Sequence, residues 1–148
     1  FKHQIIIHIN EGTDGTLEFV KKNNYDFTHS MTNIGMPKAL NQAGLKISDI
    51  EQTELNEAFA AQALCTFKAW ESKDYCQKNV GLPEALGEIP REKLNLAGGS
   101  VALGHPFAAT GARILSGAAK LLAEKGSGRC LISICTAGGM GVTAILER

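Results

Sequence analysis

The chain predicts an α/β fold, a layered mixed sheet with packed helices, and three observations carry that reading. Short β-rich runs near residues 5–9, 52–55, 130–135 and 142–148 alternate with helical patterns near 37–43, 57–72 and 107–125. The last two β-rich runs are separated only by Gly138 to Gly141, which predicts a hairpin. The length of 148 residues suits a single domain with a real core, since most domains hold about 100–200 residues.

Taken in order, Gln4-Ile5-Ile6-Ile7-His8-Ile9 has strand composition and is closed by the turn chemistry of Asn10 to Gly15. Leu17 to Lys22 reads as a short helix, and Asn23 to Asn33 as a surface loop. Pro37 suits a first helical turn, and the segment from Lys38 to Gln42 ends at a Gly44 cap. Ser48 and Glu51 have capping-box spacing, but Gln52 to Leu55 is too short and polar for a helix, so a turn leads into a strand of about four residues ending near Asn56. From Glu57 to Ser72 the apolar positions support a helix with a broad apolar face, which puts Asn56 at its N-cap. Residues 79–94, with Gly81, Pro83, Gly87 and Pro90, are loop-like. Ala108 to Glu124, rich in Ala and Leu and stopped by Gly126, is the strongest helix of the chain.

Fifteen basic and fifteen acidic residues cancel, which removes the field that would attract nucleic acid or anionic lipid. No apolar stretch approaches the roughly 18 residues that cross a bilayer, and the chain reads as intracellular. Cys65, Cys76, Cys130 and Cys135 form no C-x-x-C pair, so neither a metal site nor a disulfide framework is indicated. The chain opens on Phe1 rather than methionine and enters directly on a strand-like run, which reads as a piece of a longer protein.

Two residues stand out chemically. Cys135 ends a buried strand and precedes the side-chain-poor run Ala137-Gly138-Gly139, where another molecule can approach the backbone. It is either an inert core thiol or a reactive one. His105, between Gly104 and Pro106, opens the long helix, whose free N–H groups disfavour a charged ring, so a neutral imidazole there can act as a base. Its plain alternative is a helix cap. Gly98, Gly99 and Gly104 favour the first reading by clearing room for a ligand. Asn56 is either a helix cap or an amide that holds a water for an oxyanion site. Cys65, Cys130, Phe59 and Trp70 are expected in the core, while Cys76 lies in a polar stretch with no helper.

Three segments together, Asn56 to Ala60 (NEAFA), Gly98 to Arg113 (GGSVALGHPFAATGAR) and Cys135 to Gly141 (CTAGGMG), resemble the C-terminal signatures of the thiolase family in order and spacing. The resemblance covers residues 25–148 and leaves 1–24 unassigned. Phe107 to Thr110 and Ala137 look most like the long-chain 3-ketoacyl-CoA thiolases of β-oxidation complexes, although that subgroup usually has histidine where this chain has Asn56.

The resemblance implies thiolytic cleavage of 3-ketoacyl-CoA, or the reverse Claisen condensation, through an acyl-cysteine intermediate. Acyl-CoA and coenzyme A are then substrates, with no further cofactor. His105 would activate the nucleophilic cysteine and bind the thioester oxygen; Cys135 would move the proton at the acetyl-CoA α-carbon. Asn56 would position the oxyanion-hole water, the Ala137 N–H would serve a second oxyanion hole, and Ala58, Phe59 and Gly138 would lie along the substrate. The family's nucleophilic cysteine belongs to an N-terminal domain with no counterpart here, so the isolated chain is expected to be inactive. An N-terminal thiolase domain, a second copy of the chain in a homodimer or higher oligomer, and a β-oxidation multienzyme complex are the implied partners. A non-catalytic CoA-binding or assembly module is the competing reading, and an ordinary α/β domain with structural His105 and Cys135 is a third.

Overall fold

The computed structural model describes residues 4–9, 16–23, 26–29, 35–136 and 140–148. Its strands are β1 (Gln4–Ile9), β2 (Asp26–His29), β3 (Gln52–Leu55), β4 (Arg129–Thr136) and β5 (Met140–Glu147). They form one mixed sheet in the order β2-β1-β5-β4-β3. Central β5 is antiparallel to both neighbours, β1 and β4. The outer strands β2 and β3 each join in parallel.

Alternation along the central strands divides the core into two layers. Leu131 and Ile145 pack with Met36 and Leu40 of α2 (Gly35–Gln42) and with Phe67 and Trp70 of α3 (Ala60–Glu71). Their sequence neighbours Cys130, Ile132, Ala144 and Leu146 face the other way, onto the helix at Thr110–Lys125. That long helix buries Thr110, Ile114, Ala118 and Leu122, one residue per turn along a single stripe. It ends at Gly126, whose φ of +90° suits glycine and whose N–H donates to the Leu122 carbonyl at 2.9 Å. Among the described residues, no helix is long and apolar enough to cross a membrane.

The expected α/β class, the hairpin of β4 and β5, and the strands at 5–9 and 52–55 are all present. Residues 26–29 depart from expectation, because they form β2 within the segment, Asn23 to Asn33, whose composition suggests a loop. Its four residues gain their order from pairing with β1, a partner that local composition does not announce. The short helix expected at Leu17 to Lys22 is present as α1 (Thr16–Lys22), and further helical pieces appear: the single turn α4 (Lys73–Tyr75) running into a π turn (Cys76–Val80), and α5 (Ser100–Leu103). The long helix is therefore α6, and it starts two residues later than the Ala108 boundary.

Helix α3 shows where a broad apolar face misleads. It starts at Ala60 rather than Glu57, its N-cap is Phe59, and the residues it buries are Ala63, Phe67 and Trp70. Those three cover the sheet and leave Leu64 and Cys65 exposed, so Cys65 is not a core thiol. Phe59 is 75% exposed and is not core either. Cys76, by contrast, is fully buried, its thiol facing the Ala69 and Trp70 carbonyls.

Candidate active site

Parallel pairing of β3 with β4 sets the site. Leu55 lies opposite Ser133, and the Asn56 N–H donates to the Ser133 carbonyl at 2.9 Å. Asn56 thus leaves the sheet next to the final residues of β4, the carboxyl-end position where open α/β sheets place their ligands. From there its side chain reaches Cys135, with Nδ2 donating to Sγ at 3.8 Å. Asn56 is not a helix cap: the helix begins four residues later, and the amide oxygen accepts from Ser100 Oγ at 2.8 Å.

His105 arrives on the connection between α5 and α6. Gly104, with φ +91° and ψ 165°, turns the chain there through a conformation open only to glycine. The ring is held from one side, with Nδ1 2.7 Å from Thr110 Oγ1. Thr110 donates its own hydroxyl hydrogen to the Pro106 carbonyl at 3.1 Å, so it accepts from His105 Nδ1–H. That assignment leaves the Nε2 lone pair available as a base or acceptor. The ring does not cap α6, since its partner is a side-chain hydroxyl rather than a free backbone N–H.

Both groups open into one cleft of about 1020 Å3. Apolar side chains, among them Phe59, Phe107, Leu115, Ile134 and Val142, make most of its wall, and His105, Thr110, Cys135 and Thr136 give it a polar floor. Ala58 also lines the cleft. Phe107 is 87% exposed and meets the His105 ring edge-on, with centroids 5.2 Å apart. Ala108 takes φ +64°, an uncommon conformation for a residue with a side chain, at the cleft wall. An apolar pocket with a few convergent polar groups is the usual form of a small-molecule site. Ala137 and Gly138 lie outside the described residues.

Residues that the sequence does not single out hold this arrangement together. Asn95, at φ +49°, uses its side-chain amide like a strand residue: it accepts from the Leu55 N–H at 2.8 Å and donates to the Leu55 carbonyl at 3.0 Å. The same amide nitrogen donates to Glu57 Oε1 at 2.8 Å, and Glu57 Oε2 accepts from the Val101 N–H at 3.0 Å. Glu57 thereby ties the loop before α5 to the end of β3. Gly99, expected to clear room for a ligand, instead makes room for the Glu57 carboxylate, on which a Cβ at position 99 would fall. Gly98 likewise packs against Leu103. A sequence signal exists for Thr110, a hydroxyl at the start of the strongest helix; Glu57 and Ser100 lie inside the quoted segments without a chemical signal of their own, and Asn95 has none.

The electrostatics separate the two cysteines of β4. Cys130 is fully buried, and burial, reinforced by the charge of Glu54, pushes its thiol up to about 12, which makes it inert. Cys135, at the exposed end of the same strand, faces the cleft. Burial also raises the Glu54 carboxyl above its ordinary value, partly offset by the Gln52 hydrogen bond and the Arg113 charge. Among the described residues, no group of three His, Cys, Asp or Glu side chains is placed to hold a metal ion.

Comparison with known proteins agrees with this geometry. Residues 21–148 match the family described as "Thiolase, C-terminal domain". The chain is 47% identical over 111 residues to a 3-ketoacyl-CoA thiolase of Photobacterium profundum and 46% identical over 111 residues to one of Shewanella woodyi. Each match covers 75% of this chain but 26% of the relative. Among solved structures, acetyl-CoA acetyltransferase from Syntrophomonas wolfei superposes with a TM-score of 0.62 at 34% identity, covering 78% of this chain and 26% of that one. The cleft-forming segments from Ala58 onward all fall inside the matched region, and the chain belongs to the thiolase family, as its C-terminal domain.

Proposed function

We propose that this chain is the acid–base half of a 3-ketoacyl-CoA thiolase, working with a domain that supplies a nucleophilic cysteine. One observation carries the reading: His105 and Cys135, brought in by separate turns, open into the same apolar cleft, with the Asn56 amide against the thiol.

In the cleaving direction the partner cysteine attacks the 3-keto carbon while its proton passes to His105 Nε2, the ring nitrogen that Thr110 leaves free. The bond between the α and β carbons then breaks, leaving the acyl group on the partner cysteine. Its electron pair stays on the α-carbon of acetyl-CoA, and Cys135 delivers the proton that quenches it. A second coenzyme A thiol takes the acyl group and releases the cysteine. Negative charge develops on the thioester oxygen as the carbanion forms, and Asn56, through a held water, together with His105 are the donors assigned to it, while the Ala137 N–H is assigned to a second oxyanion hole, at the oxygen of the attacked carbonyl. The phenylalanine and leucine walls suit the acyl chain and the pantetheine arm, with Ala58 and Phe59 beside the latter. Coenzyme A enters as substrate, and no other cofactor is required by this scheme.

The test is thiolysis of acetoacetyl-CoA. The isolated chain should show no turnover, and addition of a thiolase N-terminal domain, in cis or as a separate chain, should restore it. His105→Ala and Cys135→Ala should each abolish the restored activity. Binding of coenzyme A with no turnover in any combination would favour the competing module without catalysis.

A further inference from the structure

We infer that Ser100, set by Arg113, is a positioning residue that fixes which end of the Asn56 amide faces the Cys135 thiol. The three side chains and the thiol form one line of hydrogen bonds. Arg113 Nη2 lies 3.2 Å from Ser100 Oγ, Ser100 Oγ lies 2.8 Å from Asn56 Oδ1, and Asn56 Nδ2 lies 3.8 Å from Cys135 Sγ. A guanidinium can only donate, so it fixes the direction of every later link. Ser100 must accept from Arg113 and spend its single hydrogen on Asn56 Oδ1. With its oxygen so engaged, the amide presents its NH2 group to the sulfur.

Burial makes the direction matter. Asn56 is 1% and Ser100 6% exposed, so bulk solvent does not readily replace either partner. Arg113 belongs to α6, Ser100 to α5, Asn56 follows β3 and Cys135 is on β4, so four elements meet in the relay. Without Ser100, nothing among the described residues distinguishes the two amide orientations, and the flipped one turns oxygen lone pairs toward the sulfur. An N–H facing the sulfur favours thiolate, whereas a carbonyl oxygen opposes it. Ser100 therefore controls the reactivity of Cys135 without touching it.

The inference rests on the proposed function only in taking Cys135 to work through its sulfur, and its test reads that sulfur directly. The full chain is alkylated with iodoacetamide at one fixed pH, and the rates at Cys135 and Cys65 are followed by peptide mass spectrometry. Both cysteines are exposed, so Cys65 is an internal control. Ser100→Ala should slow Cys135 by about threefold to tenfold, the scale of one lost hydrogen bond, and leave Cys65 unchanged. Arg113→Met, which keeps the serine but removes the donor that orients it, should slow Cys135 in the same selective way and serves if Ser100→Ala does not fold. In an Asn56→Ala background, Ser100→Ala should add nothing, because the amide through which it acts is gone. Unchanged Cys135 rates in folded Ser100→Ala and Arg113→Met, equal slowing at Cys65, or additive effects with Asn56→Ala would each overturn the relay. None of these readouts needs thiolysis, so the relay and the proposed function fail separately.

Discussion

Gly99→Ala is the substitution whose cost can be worked out most fully from the geometry. The backbone at Gly99 has φ −91° and ψ −173°, open to any residue, so strain in the main chain contributes nothing. The conflict is entirely with Glu57: the new Cβ falls on its carboxylate and sits 2.6 Å from Oε1. A carboxylate at the end of a flexible side chain can swing aside, so the cost lies in the hydrogen bonds it leaves behind. Those are the bond from Asn95 Nδ2 at 2.8 Å and the bond from the Val101 N–H at 3.0 Å. Hydrogen bonds to a charged group contribute about 1.5–3 kcal/mol each. The Val101 N–H is exposed and can recover water, so the net loss should be about 2–4 kcal/mol, a large part of the roughly 5–15 kcal/mol that keeps a domain folded.

Urea unfolding of the purified chain measures this as a lower midpoint at unchanged slope. Gly117→Ala is the matched control. Gly117 lies within α6 with open space around its Cβ direction, so that substitution should stabilise by about 0.5–1 kcal/mol. In a Glu57→Ala background Gly99→Ala should become nearly neutral. A Gly99→Ala loss below about 1 kcal/mol, or a full loss that persists without Glu57, would show that the carboxylate is not the source of the cost.

Three other perturbations have equally definite outcomes. Burial raises the Glu54 carboxyl above its ordinary value of 4.5, so its contribution to stability is full below that value and is lost as the pH rises through the folded-state value. Glu54→Gln, which has no charge to desolvate, should therefore lose less stability between about pH 4 and pH 7 than the parent, and parallel profiles would contradict this. Cys130, buried and pushed up to about 12, should resist iodoacetamide at about pH 8 until denaturant is added, while Cys135 reacts in the folded chain; labelling with and without urea checks both. Thr110→Val removes the acceptor that holds His105 Nδ1–H, and the reconstituted thiolase activity should fall by roughly tenfold to a hundredfold, the scale on which a misplaced catalytic group costs rate. Unaltered activity would show that the ring needs no such anchor.

The features legible in the sequence are those with a local signal. Strands β1, β4 and β5 announce themselves through β-branched runs, and α6 through an Ala/Leu stripe closed by Gly126, because burial on one face leaves a period in the sequence. His105 and Cys135 stand out because glycines lie beside them, and the cleft does bring the two together. Pairing at a distance sets the features that stay hidden. Strand β2 depends on β1, and Asn56 is captured by Ser100 forty-four positions away instead of capping the nearer helix. Gly99 suggests space for a ligand, whereas a carboxylate from just beyond the end of β3 occupies that space. Cys65 and Phe59 mislead for a simpler reason: the core takes only three residues of α3, and Phe59 stands just before that helix, on the cleft wall.

A thiolase role for this cleft requires one acyl thioester to touch both reactive groups. That is read by titrating the protein, paired with a thiolase N-terminal domain, with acetyl-CoA, followed by NMR at the His105 ring and the Cys135 β-carbon. Both signals should move with one shared midpoint, and prior alkylation of Cys135 should remove the response at His105 as well. A shift at one residue without the other, or two different midpoints, would contradict a shared site.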